Sequence, residues 1–143
     1  MLKLNRIIET ALYVDDLDRA GRFYTDILAL KPMLNTKTLF AYDVGGQSVL
    51  LLFKRGASMK TQVFPGGQGS PAGEIPPHDG SGPLHMCFAI DADQLAAWEA
   101  RLSGKGVLIE GRVRWAGGGE SVYFRDPDGH LLEFMTPGNW PIY

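Results

Sequence analysis

The sequence predicts an α+β fold made from two copies of one unit, each a strand, a helix and then strands joined by tight turns. Three observations carry this. The segment Thr38–Gly46 (TLFAYDVGG) aligns without a gap on Ser121–Gly129 (SVYFRDPDG). Hydroxyl falls on hydroxyl, apolar on apolar, Asp43 on Asp126 and Gly46 on Gly129. Both copies then enter an apolar run, Val49–Phe53 and Leu131–Met135, so each reads as a β-hairpin with Asp and Gly at its turn. The second observation is that Ile7–Val14 and Leu84–Ile90 are β-rich runs, each followed by aspartates and then by helical spacing. The third is a breaker-rich stretch between the copies, PGGQGSPAGEIPPHDGSGP.

The elements follow in order. After the first strand, Leu17, Ala20, Phe23, Tyr24, Ile27 and Leu28 recur on one helical face, with Asp15 or Asp16 as N-cap. After the strand of the second copy, Asp91 and Asp93 precede Leu95, Trp98 and Leu102, and Gly104 or Gly106 ends that helix. Between the copies the Pro and Gly content excludes a long helix or a central strand. A loop of this length is a lid, a binding loop or a linker, and its prolines stiffen it. The expected organisation is one domain over residues 1–143, with the first module at 5–53, the loop at 54–83 and the second module at 84–136.

Composition narrows the function classes. With 45% hydrophobic and 21% charged residues, the chain reads as an ordinary globular protein long enough for a real core. A net charge of −2 provides no basic field for nucleic acid or an anionic membrane, and neither is expected as a partner. Cys87 is the only cysteine, so no intrachain disulfide forms. The start, MLKLNRIIET, lacks a signal peptide's apolar run, and no stretch is long enough to span a bilayer. A cytoplasmic protein is expected.

The motif Tyr13–Leu28 (YVDDLDRAGRFYTDIL) resembles the first helix signature of the vicinal oxygen chelate superfamily, which includes glyoxalases, bleomycin-resistance proteins and extradiol dioxygenases. Ser121–Glu133 (SVYFRDPDGHLLE) resembles that family's last hairpin. The resemblance implies two βαβββ modules whose mixed sheet curls into a cup, which in many members holds a divalent metal. It does not imply one reaction, because a fold does not determine chemistry.

Side chains alternate along a strand. Thr10, Leu12 and Val14 therefore pack under the first helix, and Glu9, Ala11 and Tyr13 face the cup. In the second module Met86, Phe88 and Ile90 pack under the helix, and His85, Cys87 and Ala89 face the cup. Glu133 points opposite to Leu132 and Phe134. Glu9, His85 and Glu133 are each the odd polar residue of an apolar strand, and a shared cation explains three buried charges more economically than three accidents. The resemblance places the family's four metal slots at Glu9, Leu50, His85 and Glu133, with Leu50 opposite Glu133 by the hairpin alignment. Leucine binds no metal, so at most three ligands remain. One imidazole and two carboxylates suit Mn²⁺, Fe²⁺, Ni²⁺ or Zn²⁺. A structural role stays open for each, and for Glu9 a hydrogen bond to a neighbour such as Arg114 or Arg125.

His78, in PPHDG, is the candidate general base, the alternative being a surface-loop histidine. Tyr13, Leu50 and Cys87 are candidate pocket residues. Tyr13, Phe40, Tyr42, Tyr123 and Trp115 are candidates to stack on a planar ligand, or core residues instead. His130 is expected to be exposed, and Lys54 and Arg55 to meet an anionic substrate or water. The resulting expectation is a divalent-metal enzyme, dioxygenase- or lyase-like, acting on a small molecule with vicinal oxygens. Glyoxalase I activity itself is disfavoured, and a homodimer is expected by analogy. The alternative is a metal-free binding protein that sequesters a drug.

Overall fold

A computed structural model describes all residues 1–143. The first strand, β1, spans Glu9–Val14, and its ladder begins one residue earlier, where the Val49 N–H donates to the Ile8 carbonyl. Helix α1 covers Leu17–Arg22 and continues as a π-helical turn, Phe23–Ile27, closed by Leu28 N–H on the Phe23 carbonyl. Asp16 caps α1, its Oδ1 accepting the Arg19 N–H at 2.9 Å. Strands β2 (Lys31–Asn35), β3 (Leu39–Val44) and β4 (Ser48–Lys54) follow. The breaker-rich loop carries a small hairpin that its composition did not announce, β5 (Gln62–Phe64) with β6 (Gly73–Ile75). Then come β7 (His85–Ala89), a 3₁₀ turn (Ala92–Gln94), α2 (Leu95–Gly104), β8 (Gly111–Arg114), β9 (Glu120–Arg125) and β10 (Leu131–Met135).

The repeat is complete in the topology. One four-stranded sheet runs β1-β4-β3-β2 and the other β7-β10-β9-β8. In each, the first-named pair is parallel and the rest antiparallel. The chain divides into two compact units, residues 1–21 with 29–81, and residues 22–28 with 82–143. The π-helical turn therefore belongs to the second unit. No helix is long and apolar enough to cross a membrane.

In the first unit Leu12, Val14, Leu17, Ala20, Phe40, Tyr42, Leu50 and Leu52 are buried. Phe40 and Tyr42 face α1, because a Cβ on Gly21 would lie 2.8 Å from the Phe40 ring and 3.2 Å from the Tyr42 hydroxyl. Gly21 is thus small by necessity, and Gly21→Ala is expected to cost about 1–3 kcal/mol by pushing the helix off the sheet. Urea denaturation reads this as a lower midpoint at unchanged slope. Strand β2 is the edge, exposed throughout, with Pro32 beside a register shift that discourages further pairing. In the second unit the core is Leu102, Val122, Phe124, Leu132 and Phe134, with Trp98 of α2 packed 4.8 Å from the Phe134 ring centroid.

The sheet registers correct the hairpin alignment by one residue. The two hairpins superpose when 82 is added to each number of the first: Leu39 opposite Phe53 becomes Ser121 opposite Met135, and Asp43 opposite Val49 becomes Arg125 opposite Leu131. The alignment that matched Asp43 with Asp126 is offset by one further residue. It matched turn chemistry, and the turns differ. Each turn holds three residues, but positive φ falls on Gly45 and Gly46 in the first and on Gly129, after Pro127 and Asp128, in the second. Both aspartates still cap their turns, Asp43 Oδ1 accepting from Gly46 N–H and Asp126 Oδ1 from the Asp128 and His130 N–H groups. A slip of one residue exchanges the faces of a strand.

Candidate metal centre

Leu50 is therefore not the counterpart of Glu133. It stands opposite Tyr42, shares that residue's face toward α1, and is 1% exposed. The expected pocket role of Leu50 is corrected to a core role, and Leu51, half-buried on the other face, holds the position matching Glu133. Phe40 and Tyr42 are likewise core residues, not stacking platforms. The Trp115 indole N–H donates to Ser121 Oγ.

Glu133 lies mid-strand between Cys87 of β7 and Tyr123 of β9. Leu132 and Phe134 turn toward α2, so Glu133 turns away from it, yet it is only 3% exposed. Its Oε1 is buried and makes no hydrogen bond. Its Oε2 stands 3.3 Å from Nε2 of His85. The other ring nitrogen of His85, Nδ1, lies 2.9 Å from the Leu131 carbonyl, which can only accept. Nδ1 therefore carries hydrogen, and in the neutral ring the Nε2 lone pair points at a carboxylate oxygen. Two acceptors facing each other need a positive partner, a proton or a cation. The separation exceeds the roughly 2.7–2.9 Å of a direct charge-assisted hydrogen bond. It suits two donors each about 2.1 Å from one ion at a near-tetrahedral angle. With the orphaned Oε1 beside them, the donors fit a divalent metal.

The expectation of three buried charges holds for Glu133 alone, because the His85 side chain is 51% exposed and Glu9 is exposed. His85, Cys87 and Glu133 share one face of the second unit's sheet; Glu9, Tyr13 and His78 belong to the first unit. No three His, Cys, Asp or Glu side chains gather into a metal-holding cluster. The two arginines considered as partners of Glu9 are engaged otherwise, Arg114 with Glu120 and Arg125 with Glu110.

Burial first, and then the Glu133 carboxylate, push the Cys87 thiol up to about 12 and raise the Tyr123 hydroxyl as well. Cys87 is exposed but stays protonated at neutral pH. A rise from 9.0 to about 12 cuts the thiolate fraction about 1,000-fold, so iodoacetamide at pH 8 should alkylate Cys87 far more slowly than free cysteine does. Glu133→Gln should accelerate it, though only in part, since burial is the larger cause.

One histidine differs from expectation. His130 is completely buried, its Nδ1 accepting the Leu84 N–H at 2.9 Å, whereas the sequence pointed to exposure beside Gly129. It joins Asp126, whose Oδ2 accepts the Tyr24 hydroxyl at 2.8 Å. This ties the π-helical turn to the second hairpin; the pairing of Tyr24 with Asp126 across 102 residues had no local signal. His78 is half-buried against Tyr13, whose Oη lies 2.8 Å from His78 Nδ1. Arg55, expected to meet substrate or water, instead binds Asp15 and the Tyr13 and Gly80 carbonyls.

Residues 6–134 match the glyoxalase/bleomycin resistance protein/dioxygenase superfamily. The chain belongs to this superfamily. Among its relatives, metallothiol transferase FosB of Bacillus licheniformis is 32% identical over 124 residues, 86% of this chain and 70% of that protein. FosB of Shouchella clausii is 32% identical over 138 residues, 93% of this chain and 81% of that protein. The crystal structure of lactoylglutathione lyase from Agrobacterium tumefaciens superposes with a TM-score of 0.83 at 33% identity, covering 97% of this chain and 98% of that one. This superfamily member thus resembles proteins of more than one reaction, as its motifs implied.

Proposed function

We propose that this protein is a divalent-metal-dependent enzyme acting on a small molecule with adjacent oxygens, with a thiol as second reactant or leaving group. The observation that carries the metal is the buried, unpartnered Oε1 of Glu133 beside an imidazole nitrogen aimed at the same carboxylate. A buried carboxylate oxygen without a partner costs free energy that a cation returns. His85 and Glu133 hold the ion, and Glu9 is the sequence's candidate for a third donor. Two protein donors leave coordination positions for substrate oxygens. When bound, a divalent metal supplies Lewis-acid polarisation of those oxygens. The thiol is suggested by the names of the relatives, a metallothiol transferase and a lactoylglutathione lyase.

The chain's own residues contribute in defined ways. The Leu131 carbonyl fixes the His85 tautomer, keeping Nε2 available. The proposal includes a cytoplasmic homodimer. Its test begins with metal analysis of protein purified without a tag, and thermal shift with Mn²⁺, Fe²⁺, Ni²⁺ and Zn²⁺. Uptake of one ion per chain and a rise in Tm are expected, weakening at acid pH as the ligands protonate. The metal-loaded protein is then assayed with glutathione plus fosfomycin, and with lactoylglutathione. No metal above trace and no thermal shift would overturn the enzyme reading in favour of a metal-free binding protein.

A further inference from the structure

The sheet of the second unit carries His85 and Glu133 on the face turned away from α2, and much of that face is open. His85 and Cys87 are exposed and Tyr123 is half-buried. One row further along the strands this changes. Met135 and Ser121, opposite each other in register, stand on the same face as Glu133 and Tyr123, yet are only 8% and 1% exposed.

Two segments of the same unit cover that row. The β8–β9 turn carries Trp115, whose indole N–H donates to Ser121 Oγ at 2.8 Å. The chain beyond β10 supplies the rest. Asn139 Nδ2 lies 3.9 Å from Met135 Sδ, and the Tyr143 hydroxyl bonds the Ile90 carbonyl and, at 2.8 Å, the Met135 carbonyl. The two segments interlock through glycines. A Cβ on Gly117 would run into the Gly138 carbonyl, and one on Gly119 would lie 2.8 Å from the Pro137 carbonyl. Gly138 has φ +118°, which side chains rarely adopt, and a Cβ there would lie 2.6 Å from the Gly119 nitrogen. Backbone therefore packs on backbone.

Trp115 has a single donor, which is spent on Ser121, so the indole offers a ligand only hydrocarbon. The covered row begins about 7 Å along the strand from Glu133, the rise of two residues. Ala89, opposite Met135 on β7, stays exposed, so the cover lies over β9 and β10.

We propose that Trp115 and the interlocked chain end form an apolar end wall of the metal-bearing face, and that this wall sets substrate size. A substituent as small as a methyl fits between the bound oxygens and the wall, and an aromatic ring does not. This inference rests on the function proposed above, since the wall acts on a ligand held by a metal at His85 and Glu133. Trp115 is a specificity-determining residue and takes no part in making or breaking bonds. Without a wall the preference would run the other way, because a larger apolar substituent buries more surface.

Hydroxamates test this, because two adjacent oxygens chelate the metal while the substituent varies. Isothermal titration calorimetry compares acetohydroxamate with benzohydroxamate on the Mn²⁺-loaded protein. The parent should bind acetohydroxamate about 10-fold or more the tighter. Trp115→Ala should erase or reverse that ratio by tightening benzohydroxamate, with acetohydroxamate affinity and the metal-induced Tm shift unchanged. Trp115→Phe loses the bond to Ser121 but keeps a ring, and should keep most of the discrimination, which a general loss of fold would not. Gly117→Ala, which drives the Gly138 carbonyl away, should weaken the discrimination with Trp115 still in place. A parent that binds benzohydroxamate as tightly as acetohydroxamate overturns the end wall alone. So does a Trp115→Ala ratio within about threefold of the parent's. If the parent takes up no Mn²⁺, or takes it up and binds neither hydroxamate, the shared functional reading fails and takes the inference with it.

Discussion

Glu133→Gln is expected to stabilise the metal-free protein and to abolish its response to metal. In the native chain the Glu133 carboxylate is 3% exposed, with Oε1 unpartnered and Oε2 facing a ring nitrogen at 3.3 Å. Glutamine keeps the shape, removes the buried charge and turns an N–H toward the His85 lone pair. The gain is about 1–2 kcal/mol, since an unsatisfied buried polar group costs that much or more. The opposing loss, the ion pair with His85 when that ring is protonated, is small because the imidazole is half in water. The apo Tm should therefore rise by about 3–8 °C. Metal affinity should fall by more than about 100-fold, since the carboxylate is the site's only buried anion. Differential scanning calorimetry with and without Mn²⁺ reads both effects. A lower apo Tm, or a surviving metal shift, would contradict the assignment of Glu133. The expected trade of stability against function is the usual mark of a residue retained for its chemistry.

His130→Ala should be the most destabilising single substitution in the second hairpin, by about 3–5 kcal/mol. It opens a cavity at a fully buried position and strips the Leu84 N–H of its acceptor, where β7 begins. The His130 backbone also exchanges hydrogen bonds with Asp126, closing the turn that aims β10 and Glu133. Tm should drop on the order of 10–20 °C, with faster hydrogen exchange at Leu84. His130→Asn, which can restore an acceptor near the same place, should recover part of the loss. A cost below about 1 kcal/mol would show that the imidazole is dispensable.

Asp126 in the same network gives this region a pH dependence. Burial raises its carboxyl above the ordinary value, although the Tyr24 hydroxyl and the His130 and Asp128 N–H groups oppose the rise. Because the folded value lies above the unfolded one, the contribution is full below the unfolded value and is lost as pH rises through the folded one. Asp126→Asn should flatten that decline in a pH series of unfolding midpoints.

The sequence by itself determined the element order and the alternation of faces within single strands. Strand pairing has period two and helices 3.6, so apolar spacing alone placed β1, α1, β7 and α2, and put His85 and Cys87 on one face. The turn aspartates and glycines marked both hairpins, because positive φ and side-chain caps are local needs. Only the tertiary structure decided how strands register against each other. The register, one residue off the alignment of the turn motifs, put Leu50 in the core and Leu51 in the position matching Glu133. Burial of His130 and the meeting of His78 with Tyr13, 65 residues apart, were also outside local pattern. A histidine reads the same in sequence whether it ends in water, in a core or against a tyrosine. Its environment is set by contacts between segments whose spacing along the chain carries no period.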